Sequence, residues 1–271
     1  MAFQKGIIKV RGTMDDITFM QTKHGYLVRE NKPISASRFK TDPAFERARE
    51  NGAEFGRACK DGKLLRQALR QLIFRSADSD MATRLTSQMM KVIKADPVSI
   101  RGGRNTMDGN TALLNGFDFN IKAQLENTFA GKYTVTIDRT IGSIAVGIPE
   151  FVPAEFIVAP QGATHCRFVA AGAVVDFDTR TIASIISQST DVDLKAATQA
   201  QINLAGLIGP GSTAPAFVVF GIEFYEQVNG RKYALSNGAF NALTMVAVDG
   251  GPRSAQLKIE GLQPPTEDQA A

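Results

Sequence analysis

The chain has 271 residues, 44% hydrophobic and 21% charged, with no Trp, two Cys and a formal net charge of +4. That composition is ordinary for a globular protein, and two distant cysteines, Cys59 and Cys166, exclude a disulfide framework or a clustered Cys metal site. The charge is unevenly held: residues 1–104 carry 21 Lys/Arg and 11 Asp/Glu, a net of +10, whereas residues 105–271 carry 10 and 16, a net of −6, so the two parts attract different partners or attract each other across copies.

Met1–Gly6 lacks the apolar core of a secretory signal, and no run approaches the roughly 20 apolar residues that cross a bilayer. The expectation is cytoplasmic synthesis without a signal peptide or membrane span, and release or incorporation into a particle by another route. Residues 3–30 read as a basic antiparallel meander: Lys5–Arg11, a turn through Gly12–Asp16, Ile17–Thr22, a turn at Lys23-His24-Gly25, then Tyr26–Glu30. Residues 31–42 read as a polar connector.

A helical block is predicted from Asp42 to Asp96. Asp42-Pro43 is an N-cap and N1 pair. Phe45, Ala48, Gly52, Phe55 and Cys59 fall on one helical face, and Gly52 and Gly56 leave room for a second backbone. Lys60-Asp61-Gly62 reads as a stop. A second helix carries Leu64, Leu65, Ala68, Leu69, Leu72 and Ile73. A third, capped by Ser79, carries Leu85, Met89, Val92 and Ile93 and ends at Asp96-Pro97. Three helices with short joints predict a bundle packed on the meander.

Residues 98–116 read as loop, and from Phe117 the pattern changes to strands. Tyr133, Val135 and Ile137 alternate with polar residues, as do Ile144, Val146 and Ile148 with theirs. Arg167–Phe177 is apolar at nearly every position, which predicts cover on both faces. Val218, Phe220, Ile222 and Phe224 share one strand face. Asn229-Gly230 and Asn237-Gly238 are hairpin signals, and Leu243–Val248 closes the block. The fold class is α+β: the meander and three-helix bundle over residues 1–115, an antiparallel β-sandwich, Ig-like or jelly-roll-like, over 116–250, and a C-terminal strand and tail over 251–271.

Candidate chemistry is sparse. His165 and Cys166 are neighbours in a strand and point to opposite faces, so they form no nucleophile–base pair alone. His24 falls in a turn. Asp176/Asp178 and Asp191/Asp193 each offer two carboxylates that could hold a cation or divide acid and base roles; the same pattern also suits solvated turns. Asp108-Gly109-Asn110 is a fragment of a calcium loop without its later Glu. Gly209-Pro210-Gly211 lacks the lysine of a phosphate loop. Arg101-Gly102-Gly103-Arg104 could wrap an anion through freed N–H groups and arginine charge.

The helical block, between Asp42 and Arg104, holds 13 Lys/Arg against eight Asp/Glu. Arg57, Lys60, Lys63, Arg66, Arg70, Arg84, Lys91 and Lys94 would lie along a phosphate track. Exposed aromatics for stacking are not evident there, and Glu46, Glu50 and Glu54 interrupt the track.

Three segments carry a resemblance: Lys5–Thr13, Asp42–Leu69 with its core Arg49–Gly56, and Gly221–Val248 with Phe224–Gly230. Together they resemble a family of bacterial hypothetical proteins with no assigned function, which implies no activity for this chain. The residues themselves lead to the expectation of a non-enzymatic structural protein, with no cofactor, metal or small-molecule substrate, that assembles head to tail with copies of itself into a filament, tube or lattice. Its interface or anion-binding candidates are Lys5, Lys9, Arg11, Arg57, Lys63, Arg66, Arg70, Arg101 and Arg104. The alternative is a nucleic-acid-binding module using the basic half.

Overall fold

The structure, a computed structural model, describes residues 2–30 and 34–252. It is an α+β protein with antiparallel sheets. Contacts divide the chain into two compact units, Met1–Arg49 and Glu50–Ala271.

In the first unit, β1 (Ala2–Phe3), β2 (Gly12–Met14), β3 (Ile17–Thr22) and β4 (Gly25–Glu30) form one sheet in the order β1-β4-β3-β2. The β3–β4 hairpin matches the sequence expectation, with Phe19 opposite Val28 and Met20 opposite Leu27. The expected Lys5–Arg11 strand does not form. β1 and β2 lie on opposite edges of the sheet, about 14 Å apart at ordinary strand spacing, so residues 4–11 must cross between edges and cannot run along either one. Within the expected connector, Ala36–Thr41 forms α1, capped by Ser35, whose hydroxyl accepts Arg38 N–H at 3.2 Å. Residues 31–33 lie outside the described residues. Asp42 caps as expected: its Oδ1 accepts Ala44 N–H at 2.9 Å above a short 3-10 turn, Pro43–Phe45.

The second unit holds the rest of α2 (Glu46–Ala68), then α3 (Arg70–Ser76) and α4 (Met81–Lys94). The expected stop at Lys60-Asp61-Gly62 is absent, and the helix continues to Ala68. Asp61 is buried there and accepts from Thr106 Oγ1 at 2.6 Å and from Arg180 at 2.5 Å. Those partners occupy the carboxylate that would otherwise compete for nearby backbone N–H groups and favour a turn. Gly62 packs on α4, with Met89 Cγ 3.6 Å from where its Cβ would stand.

The buried stripe of α2 is Glu54, Ala58, Asp61, Gly62, Leu64, Leu65 and Ala68, not the Phe45–Cys59 face. Phe55 is 55% exposed, and no atom approaches within 4 Å of a Cβ at Gly52 or Gly56, so the expected close backbone contact there is not made. α4 buries Leu85, Met89, Val92 and Ile93 as expected. Its Ser79 cap is not used: Asp80 occupies the N-cap, and Asp78 Oδ1 accepts Asp80 N–H.

After α5 (Leu125–Thr128) come β5 (Thr134–Asp138), β6 (Ser143–Ile148), α6 (Pro153–Phe156), β7 (His165–Asp176), β8 (Thr181–Gln188), β9 (Val192–Asp193), β10 (Ile202–Leu207), β11 (Ala216–Val228), β12 (Arg231–Ala234) and β13 (Ala242–Asp249). One sheet has the order β10-β6-β5. The other runs β12-β11-β7-β8, with β13 also on β11 and β9 also on β7. Asn229-Gly230 makes the expected two-residue turn, with φ +50° and +77°, the signature of a primed hairpin. Asn237-Gly238 instead sits in a 3-10 turn between β12 and β13, because both of those strands pair with β11 and neither pairs with the other.

The β7–β11 pair is the middle layer. On one face Val169, Ala171, Ala173, Val175, Phe217 and Val219 meet Leu65, Leu69, Leu85 and Met89 of the helical layer. On the other, Phe168, Ala170, Val218, Phe220 and Ile222 meet Val146, Ile148 and Leu204 of the smaller sheet. The helices therefore cover the sandwich, and the expected boundary at residues 115/116 fails: helices and strands share one core. Of the expected tail over 251–271, only Gly251 and Pro252 fall within the described residues.

Phe220 stacks on Phe168 (5.8 Å, 9° between planes) and meets Tyr133 and Phe129. Phe220→Ala empties the centre of this cluster and should cost about 3–5 kcal/mol, read as a lower urea midpoint with an unchanged slope. The acid limb is also set. Arg139 and the Gly251 N–H hold Asp249 below the usual carboxylate range. Burial opposes the charge of Asp78 and Asp96, but backbone N–H donors, with Arg84 at Asp78, outweigh it and lower both. Asp61 runs the other way: burial raises it against the pull of Thr106 and Arg180. A lowered acid contributes stability that is complete above its unfolded pKa near 4 and is lost as pH falls through its folded value. A raised acid does the reverse. Asp42 and Asp191 are lowered as well, so with five acids lowered and one raised the melting temperature should hold from pH 7 to about 5 and fall below about pH 4.

Candidate functional site

In the first unit the crossing segment forms a projecting loop. The Gln4 carboxamide grips Val10 from both sides: its Oε1 accepts Val10 N–H at 2.9 Å and its Nε2 donates to the Val10 carbonyl at 3.1 Å. Ile7 and Ile8 are 102% and 83% exposed on this loop. Lys5, Lys9 and Arg11, three of the sequence candidates, surround them and are exposed. Lys9 Nζ donates to the Gln4 carbonyl at 2.5 Å and lies 5.7 Å from the centre of the Tyr26 ring. No described residue up to Arg49 is fully buried, although Phe3, Met14, Ile17, Ile34 and Phe39 are also large, apolar and exposed.

The other candidates lie in the second unit, and several are occupied there. Arg57 Nε donates to the Arg104 carbonyl at 2.7 Å, and the same guanidinium donates to the Gly102 carbonyl. Arg101 pairs with Glu50 at 3.3 Å and donates to Asn51 at 3.0 Å. Gly102 N–H donates to the buried Glu54 at 2.9 Å. Gly102 has φ +84°, and a Cβ there would stand 2.9 Å from Glu50 Cγ, so this position requires glycine. The Arg101–Arg104 loop is thus strapped to α2, and its N–H groups do not converge on an anion as the sequence suggested. Lys63 and Arg70 remain exposed, and Arg66 and Arg104 are half-buried.

The remaining sequence candidates do not converge either. His24 is exposed in its turn. His165 Nδ1 is 2.9 Å from Thr164 Oγ1, and its ring stacks on Tyr225. Cys166 faces the opposite side, fully buried, and burial with the nearby Asp191 pushes its thiol pKa up to about 12. Asp176 caps its own turn by accepting the N–H groups of Asp178 and Thr179. Asp191 pairs with Lys232 at 2.5 Å, and Asp193 accepts Lys195 N–H. Asp108 is buried and takes a 2.7 Å hydrogen bond from Asn105. Among the described residues no three His, Cys, Asp or Glu side chains group as a metal site, and no helix is long and apolar enough to cross a membrane.

A feature not anticipated from the sequence is a cleft of about 610 Å³ where the sheet runs past the end of α3. Glu223 and Arg167 are direct cross-strand partners on β11 and β7. Glu223 is 5% exposed and accepts from Arg167 Nη2 at 2.5 Å and Nε at 3.2 Å, while Arg75 of α3 stands 3.7 Å away. Tyr225 adjoins them, and Lys232 lies 5.2 Å from its ring centre. Burial, and then Asp191, drive the Tyr225 hydroxyl far above the ordinary phenol range. The cleft is a network of opposed charges with a surplus of cations, which ties β7, β11 and α3 together. Its signal in the sequence was Arg167 and Glu223, charged residues beside the long apolar runs of β7 and β11.

Comparison of the chain with known protein families, curated proteins and solved structures gives no match. The two cysteines provide a direct check of the site geometry. Iodoacetamide at pH 8 should label half-buried Cys59 and leave Cys166 unmodified in the folded protein, and both should label in denaturant, as read by peptide mass spectrometry.

Proposed function

We propose that this protein is a non-enzymatic structural subunit that assembles with copies of itself, head to tail, into a filament, tube or lattice. One observation carries the reading: the first unit has no fully buried side chain among its described residues, yet it presents Phe3, Ile7, Ile8, Met14, Ile17, Ile34 and Phe39 to the surface. A sheet without a core of its own gains most of its stability from a surface that covers it. Charge supports the choice of another copy as that surface. Residues 1–49 hold ten Lys/Arg and five Asp/Glu, whereas residues 105–271 carry a net of −6. Contact between unlike patches of identical subunits is heterologous, and it propagates into rings or open arrays.

Light scattering and negative-stain microscopy of the purified chain test this. Particles much larger than one chain are expected at low salt, with mass decreasing as salt screens the contact. Ile7→Asp with Ile8→Asp should reduce the particles towards single chains. A single-chain particle at every salt concentration overturns the proposal. Binding of DNA or RNA by that single chain, falling steeply with salt, would favour the nucleic-acid reading in its place.

A further inference from the structure

β8 is an edge strand without the charge or proline that usually protects one, although β10 packs against it at Ile185. Its sequence, Thr181-Ile182-Ala183-Ser184-Ile185-Ile186-Ser187-Gln188, contains no charge, proline or glycine. It pairs with β7 over its whole length, and among the described residues no strand pairs with its outer side. Natural edge strands are kept from pairing by lysine, proline, bulges or cover. Residues 181–184 are exposed. Beside them lies a cleft of about 390 Å³, walled by Ile182, Ile208 and the Gly209–Thr213 loop, and nearby Leu207 is 69% exposed.

The first unit contains the complementary feature. Lys5–Arg11 has the β-branched composition of a strand, Gly-Ile-Ile-Lys-Val, but makes no ladder. Among the described residues, the Gln4 side chain grips the backbone of Val10. Charge matches as well. The segment carries Lys5, Lys9 and Arg11, and the turns that flank β8 carry Asp176, Asp178, Asp191 and Asp193 against Arg180 and Lys195. The Arg180 guanidinium is already engaged by Asp61, and Asp191 by Lys232.

We propose that Lys5–Arg11 of one copy adds as a strand to the outer edge of β8 in a second copy, with one of its isoleucines in the adjoining cleft. Ladder hydrogen bonds supply affinity and the cleft supplies register, as in other strand-addition contacts. The two exposed bonds to Gln4 are exchanged for ladder bonds, and Ile7 and Ile8 leave water. This inference rests on the self-assembly reading and names its contact.

The experiment separates the two. Chains carrying Ile8→Cys and chains carrying Ser184→Cys, both with Cys59→Ser, are mixed and oxidised. A disulfide-linked pair that forms only in the mixture is expected. Ile8→Pro and Ser184→Lys, both at exposed positions, should each lower the apparent association constant at least about tenfold in light scattering. Far-UV circular dichroism should show both variants folded. Assembly that persists in both variants without the mixed cross-link overturns the strand addition and leaves self-assembly standing. Cross-linking of Ser184→Cys chains to one another, β8 against β8, overturns Lys5–Arg11 as the occupant. A wild-type chain that never associates overturns both proposals.

Discussion

The second unit depends on burying both faces of one strand pair. β7 and β11 run side by side for ten register positions, and each sends alternate side chains into a different layer. Odd-numbered residues, from Val169 to Val175 and at Phe217 and Val219, support the helices, while even-numbered ones, from Phe168 to Phe220 and Ile222, support the smaller sheet. A shift of one residue in either strand would exchange the two sets and turn Phe168 or Phe220 out of the aromatic cluster towards the helices. Small residues at Ala171, Gly172 and Ala173 keep the middle layer thin enough for close packing on both sides. At Gly172 a Cβ would fall 2.4 Å from Ile144 of the opposing sheet.

That same alternation creates the charged cleft. The helix-facing positions of β7 and β11 are apolar until the strands pass the end of α3, and there they become Arg167, Glu223 and Tyr225. A carboxylate held this deeply needs partners, because an unpaired buried charge is costly, and Arg167 and Arg75 lie beside it. The ion pair between Asp61 and Arg180 does similar work at another point, joining α2 to the β7–β8 turn. Both pairs connect elements that are distant in sequence, and they fix the position of the helical layer on the sheet more than they add net stability.

The first unit follows a different rule. Its sheet is narrow, its crossing loop carries two isoleucines into solvent, and its helix caps satisfy local backbone groups without building an interior. Under the self-assembly proposal, this exposed surface and the uncharged edge at β8 are the two unlike patches that would meet between copies.

Local chemistry determined much of this protein directly from the sequence. The alternation at Ile144–Ile148, the two-sided apolar run of β7, the Asn229-Gly230 turn, the Asp42-Pro43 cap and the Leu85–Ile93 stripe each depend on neighbours within a few residues, so their patterns were legible. The tertiary structure decided what depends on distant partners. Asp61-Gly62 reads as a stop until Thr106 and Arg180 engage the carboxylate that would otherwise compete for backbone N–H groups. Lys5–Arg11 reads as a strand until β1 and β2 take opposite edges of their sheet. The Arg101–Arg104 loop reads as an anion cradle until Arg57 and Glu54 occupy it, and Glu223 acquires its partners only when β7 lies beside β11. Spacing along a chain encodes periodicity and caps, but the pairing of a buried charge or an edge is a property of the folded arrangement, which no short window of residues contains.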